Sequence, residues 1–265
     1  MSTSNNGLPS DVYESVDQII KTTHSGFPQA IVLTPSTGSS FLSRAIESVL
    51  KQDFRDILHL IIVDGSVYEQ NVREITSRFN PEHCKVITIP FNTGANGMNG
   101  HRIYASFPLL TNSDYIFFLD EDNWWDTDHA SSLIDLLKKK DIDWVYSMRK
   151  IFTHDEEYIA NDNCESIGPY LPYSYKIKNW PNYIDTNCYA FKRDTIVQTA
   201  HHWYHPLRAD RYFFRKLVEK FPHYVSSKKY TVNYRLKKDG PVSPAYILEG
   251  NQFMIDKYDS DVPWL

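Results

Sequence analysis

The 265-residue chain has few cysteines, no long run of basic residues and no long apolar stretch, and each lack removes a class of function. Its three cysteines, Cys84, Cys164 and Cys188, are an odd number, scattered and without metal-ligand spacing. That pattern fits unpaired thiols in a reducing compartment, so a cytoplasmic setting is expected. No apolar stretch approaches the roughly 18 residues of a membrane span. The polar start MSTSNNGLPS lacks the charged and apolar regions of a signal peptide. The expectation is a soluble chain, with peripheral contact at the inner face of a membrane left open. A formal net charge of −5 without a long basic run gives no electrostatic reason to expect a nucleic-acid partner. Repeats and low-complexity segments are also missing. What remains is an ordinary globular composition, 42% hydrophobic, long enough for one large domain or two intimate halves.

Strand and helix signals alternate along the first half. AIVLT (Ala30 to Thr34) reads as a strand, PSTGSS as a breaker, and FLSRAIESVLKQ as a helix whose Leu42, Ala45, Ile46, Val49 and Leu50 fall on one face. LHLIIV, ending in Asp64-Gly65-Ser66, is a second strand, and EQNVREITSRF a second helix. KVITIP (Lys85 to Pro90) precedes the glycine-rich NTGANGMNG, a helix from roughly 99 to 110 follows, and YIFFL is the next strand. Strands joined through helices imply right-handed crossovers and a mostly parallel sheet. Ligands of such sheets bind beyond the carboxyl ends of the strands, where PSTGSS, DGS and DEDN all fall.

Further along, Asp126 or Thr127 is placed to cap a helix carrying Leu133, Ile134, Leu136 and Leu137, and WVYSM follows as a strand. The stretch from 151 to 183 is irregular, and loops of that length are usually functional or mobile. Regularity returns with NCYAFKR, a helix from about Asp194, the helix-like ADRYFFRKLVEKF and a strand near YTVNYRL. The segment from 240 to 265 carries no assignable role. The expected divisions are an N-terminal extension (1–27), a nucleotide-sugar half (28–123), an acceptor and catalytic-base half (124–240) and a tail (241–265).

Chemistry concentrates in FFLDEDNWW, where a buried strand runs directly into Asp120, Glu121 and Asp122. Two acids one residue apart at such a strand end can share a hard divalent cation with phosphate oxygens. An isolated Asp-x-Asp also fits a plain turn followed by a helix cap. Context favours chemistry, because three like charges leaving the core repel one another unless a cation offsets them.

At this point the residues resemble the inverting glycosyltransferases of family 2, with the GT-A fold, over about Pro28 to Asp239. The resemblance rests on TPS (Thr34 to Ser36), SRAIESVLKQDF, IIVDGS, an N-x-G loop with a later arginine, FLDEDN, IDTNCYAFKRD and RADRYFFRKL. Two departures bear on base identity: Ser36-Thr37 stands where many members carry Tyr-Asn, and Val63-Asp64 where many carry two aspartates. The resemblance implies an α/β fold with a mostly parallel central sheet and a smaller acceptor-side region. It also implies a metal-dependent transfer of sugar from a nucleoside-diphosphate sugar, UDP-linked by preference, to a glycan or lipid-linked acceptor. A bacterial surface glycan is the family-level expectation for the product.

The same resemblance assigns roles. Thr34, Pro35 and Ser36 would line the base pocket, Asp64 would accept hydrogen bonds from the base or ribose, and Arg102 would approach the diphosphate. Asp122 would be the principal ligand of Mn²⁺ or Mg²⁺, with Asp120 beside it, while Glu121 would reach the ribose or donor sugar. Oxygen ligands suit those ions, and no Cys/His set argues for zinc. Asp210 would be the catalytic base and Asp185 its runner-up, although a first-turn acid such as Asp210 is also favoured by the helix dipole alone. The cluster His201, His202 and His205 reads as surface or packing, and Trp124 or Trp125 could pack on the acceptor. Two rivals are a nucleotidyltransferase, whose basic triphosphate loop PSTGSS lacks, and a non-catalytic sugar- or nucleotide-binding protein, which would need neither acidic triplet nor base.

Overall fold

The computed structural model describes residues 27–170, 182–206, 208–240 and 242–265. Almost all of the expected N-terminal extension, and part of the irregular stretch before 183, therefore lie outside the described residues. In chain order the elements are β1 (Ala30–Ser36), α1 (Leu42–Leu50), β2 (Ile57–Asp64), α2 (Glu69–Thr76), β3 (Cys84–Ile89), α3 (His101–Ser106), β4 (Tyr115–Phe118) and β5 (Trp124–Trp125). They continue with α4 (His129–Leu137), β6 (Trp144–Phe152), β7 (Tyr158–Asn161), β8 (Tyr189–Lys192), α5 (Arg193–Val197), α6 (Ala209–Lys220), β9 (Tyr224–Arg235) and α7 (Pro244–Lys257).

The strands form one sheet in the order β3-β2-β1-β4-β8-β6-β9-β5, with β7 paired to β6. The β3-β2-β1-β4 block is parallel. Central parallel strands are covered on both faces, so β1 buries all seven residues and β2 reads as an almost unbroken apolar run. Beyond β4 the sheet turns mixed: β8 runs antiparallel to both β4 and β6, and β9 runs parallel to β6. One apolar core spans both parts, from Ile31 and Phe117 to Trp144, Phe213 and Trp264.

Three local expectations change. Helix α4 starts at His129 rather than at Asp126 or Thr127, and its N-cap Asp128 makes no side-chain cap bond. Asp126 instead joins Lys150 at 2.5 Å and Asn233 at 2.9 Å, tying the turn to β6 and β9. Trp124 and Trp125 pair as β5 with β9 and are buried, Trp125 against Phe117 and His129, and their small exposed parts border a groove beside Arg44 and Asp128. The tail is structural. Ser243 caps α7 through the Tyr246 N–H, and Trp264 is buried with its Nε1 donating to Asn163.

Candidate active site

A crevice of about 620 Å³ opens at the carboxyl ends of β1, β2 and β4 and is bordered by the starts of α3 and α6 and the loop after β9. Its described lining includes Pro35, Ser36 and Asp64 from the first strands, and Asp120, Glu121 and Asp122 from the turn after β4. Asp185, Arg208, Asp210, Tyr234 and Lys237 complete the other side. The turn is fixed to β1, because the Leu119 N–H continues the ladder to Leu33 O at 3.1 Å. The acids therefore leave the core together.

Among the described residues six carboxylates line this crevice, and tertiary partners occupy four of them. Asp64 accepts from the Thr93 N–H at 2.7 Å and its hydroxyl at 2.9 Å on one oxygen, and from the Gly94 N–H at 2.8 Å on the other. Gly94 is required there, since an added Cβ would stand 2.2 Å from Asn99 O and 2.9 Å from Asp64 Oδ2. Glu121 points back to the turn after β1. It accepts from the Ser36 hydroxyl at 2.6 Å, from Thr37 N–H and Oγ1 at 3.1 Å each, and from the Ser39 N–H at 3.0 Å. Both residues shape the loops that wall the crevice, and both line it where Asp64 is expected to meet the base or ribose and Glu121 the ribose or donor sugar.

Asp120 and Asp185 are joined through Asn187. The amide of Asn187 donates to Asp120 Oδ2 at 3.0 Å and to Asp185 Oδ1 at 2.7 Å, while its oxygen accepts the Asp120 N–H at 2.6 Å. Tyr104 donates to the second Asp120 oxygen at 2.8 Å. Asp185 is further held by the buried Arg149 at 2.7 Å, which also grips Asp162 at 2.7 Å. Burial, then the charges of Asp122 and Asp185, push the Asp120 carboxyl up to about 7. Burial also raises Asp122, against the opposing charge of Lys237.

Asp122 and Asp210 are the exceptions. Among the described residues, no side chain or loop amide of another element occupies either carboxylate. Asp210 lies in the first turn of α6 and accepts only from its neighbour, the Arg211 N–H, at 2.8 Å. Across the crevice, burial lowers His101 while the charge of Asp210 raises it. Arg208, just before α6, has left-handed backbone geometry (φ 50°), an uncommon conformation for a non-glycine residue that often marks functional sites.

Several expected residues lie elsewhere. Thr34 is buried in β1, its hydroxyl 2.8 Å from His59 Nε2, and does not reach the crevice. Arg102 turns away: Nη1 donates to Tyr204 Oη at 2.5 Å, and the guanidinium lies 4.2 Å from that ring. The His201 and His202 rings touch at a tilt, 3.9 Å between centroids, and His205 stacks on Tyr212 at 4.0 Å, as packing groups. Sequence reasoning missed Tyr104, Asn187, His101, Tyr234 and Lys237. Only Asn187 carried a signal, standing two residues after Asp185 in a polar turn before a strand.

The residues present fit a hard divalent cation in a limited way. Among the described residues no group of three His, Cys, Asp or Glu side chains could enclose one. A site built from one open carboxylate, Asp122, with substrate phosphates and water is the arrangement Mg²⁺-type ions accept. The crowding that raises Asp120 is what such a charge would relieve.

The sequence profile of the family described as "Glycosyl transferase family 2" matches residues 32–200. An uncharacterized glycosyltransferase from Nostoc sp. (strain PCC 7120) is 25% identical over 194 residues, 73% of this chain and 53% of the relative. The chain thus spans about half the length of that curated relative. In three dimensions it is similar to S. aureus TarS 1-349 in complex with UDP, with a TM-score of 0.57 and 11% identity over 88% of this chain and 72% of that one. It is also similar to the mannosyltransferase PcManGT from Pyrobaculum calidifontis in complex with GDP-Man and Mn²⁺, with a TM-score of 0.57 and 10% identity over 86% and 65% of the two chains. At such identities the likeness concerns the fold.

Proposed function

Because the chain belongs to glycosyl transferase family 2, we propose that it moves a sugar from a nucleoside-diphosphate sugar to an acceptor hydroxyl in one inverting displacement. Its architecture is the GT-A fold of its structural neighbours. The observation that carries the reading is the pair of open carboxylates, Asp122 and Asp210, on two different walls of one crevice whose other acids are occupied. In this reading Pro35 and Ser36 border the nucleoside, held in place by Glu121, while Asp64 holds the Thr93–Gly94 loop against it.

Asp210 takes the proton of the acceptor hydroxyl as its oxygen bonds the anomeric carbon, and the bond to the β-phosphate oxygen breaks with its electron pair leaving on the nucleoside diphosphate. Asp122, with Asp120 beside it, would hold Mn²⁺ or Mg²⁺. That ion, when bound, would neutralise charge growing on the leaving diphosphate as a Lewis acid. Asp185 is less suited to be the base, because Arg149 and Asn187 hold both of its oxygens. A UDP-linked donor and a glycan or lipid-linked acceptor are the proposed substrates. The buried, unpaired Cys84, Cys164 and Cys188 support a reducing, cytoplasmic setting. Among the described residues no helix is long and apolar enough to cross a membrane.

The test is release of nucleoside diphosphate from a panel of UDP-, GDP- and dTDP-sugars with Mn²⁺, with and without glycan acceptors, followed by product anomer determination. Asp210→Asn should keep donor binding and lose roughly 10²-fold or more in turnover. A retained anomeric configuration, or wild-type turnover in Asp210→Asn, would overturn the mechanism.

A further inference from the structure

We propose that Lys237 is a ligand of the donor diphosphate, a cation supplied by the chain itself beside Asp122, so that nucleotide binding persists without a divalent ion. The proposal rests on the nucleotide-sugar reading above. The crevice is rich in carboxylates, and a diphosphate entering it meets Coulomb repulsion unless positive charge stands at the same place. Arg102, the basic group expected to meet it, is committed to Tyr204. Lys237 lines the crevice instead, and its ammonium makes no ion pair or hydrogen bond among the described residues.

Its position is built. Two residues earlier, at the end of β9, Arg235 donates its N–H to Asn123 Oδ1 at 2.8 Å and its Nε–H to Asp122 O at 3.0 Å. Those bonds tie the end of β9 to the acidic turn, so the residue after Leu236 emerges beside Asp122. The chain then folds back at once, with the Gly240 N–H donating to Lys237 O at 3.1 Å. Lys237 exerts the principal opposing charge on Asp122, ahead of its acidic neighbours. A single ammonium is a point charge on a long stem, able to follow the diphosphate from bound donor to departing product.

Calorimetric titration of uridine, UMP, UDP and GDP into the full chain, in EDTA and in Mn²⁺, separates the contributions. In EDTA, wild type should bind UDP or GDP more tightly than uridine. Lys237→Ala should lose roughly 10-fold or more of diphosphate affinity, the scale of a hydrogen bond to a charged group, with uridine affinity unchanged. Lys237→Arg should recover most of it, and Asp122→Ala should bind diphosphate more tightly in EDTA, its repulsion gone. Lys237→Ala binding diphosphates like wild type in EDTA would overturn this proposal alone. Failure of every nucleotide to bind wild type in either condition would overturn it together with the donor reading.

Discussion

Lowering the pH from 7.5 to 5 should destabilise this fold by ~1.5 kcal/mol, and two buried imidazoles set the sign. His59 Nε2 lies 2.8 Å from the Thr34 hydroxyl and His129 Nδ1 2.8 Å from the Thr231 hydroxyl, while the other nitrogen of each ring has no partner. Burial holds both pKa values down at about 3, against an ordinary 6.5. The unfolded chain therefore binds protons that the folded chain refuses. Stability from this source is complete above about 6.5 and is lost as pH falls toward 3. At ~1.4 kcal/mol per pH unit, each ring accounts for ~2 kcal/mol by pH 5. Asp120 works the other way: its folded pKa of about 7 lies above the ordinary 3.8, so its contribution grows as pH falls through 7. By the same ~1.4 kcal/mol per pH unit this offsets ~2.5 kcal/mol by pH 5, leaving a net acid loss of ~1.5 kcal/mol.

The net is measurable by urea unfolding at the two pH values, without metal or nucleotide, following tryptophan fluorescence. His129→Gln can still bond Thr231 but takes no proton, so its response to acid should shift by ~2 kcal/mol relative to wild type and the loss should be cancelled, whatever its absolute stability. Asp120→Asn removes the compensating group and should deepen the loss by ~2.5 kcal/mol. His129→Gln losing as much as wild type, or Asp120→Asn losing less, would refute the electrostatic account of the core and crevice.

Two further outcomes concern the walls of the crevice. Asp64→Ala frees the Thr93–Gly94 loop from its three hydrogen bonds, and UDP or GDP affinity measured by titration should weaken by ~1.5–3 kcal/mol. Unchanged affinity would place the nucleoside elsewhere. Gly100→Ala would bring a methyl to 2.4 Å from Pro35 Cγ, so thermal unfolding should report a loss of ~1–3 kcal/mol together with weaker nucleotide binding.

The elements that sequence reasoning placed best are those whose local pattern matches their burial. Strands β1, β2 and β4 are apolar runs because both faces are covered, and α1 shows a full buried stripe at Leu42, Ala45, Ile46 and Val49. Helix α7 escaped because it buries only Ile247, Gly250 and Met254, too thin a stripe to separate from a proline-flanked tail. The paired role of Trp124 and Trp125 escaped for a different reason: a two-residue strand exists only through β9, more than a hundred positions away.

The crevice divides along the same line. Strand ends marked where the acids gather, but the occupants of those acids come from distant positions: Thr93 and Gly94 for Asp64, Ser36 to Ser39 for Glu121, Arg149 for Asp185. The same holds for the basic groups. Arg102 and Lys237 both carry charge near a polar loop, and only the placement of Tyr204 and of the end of β9 decides which of them faces Asp122. A charge visible in the sequence becomes a chemical group only if folding leaves it without a tertiary partner. Assigning the chemistry of this crevice is therefore a matter of finding which groups lack partners among the described residues, which singles out Asp122, Asp210 and Lys237.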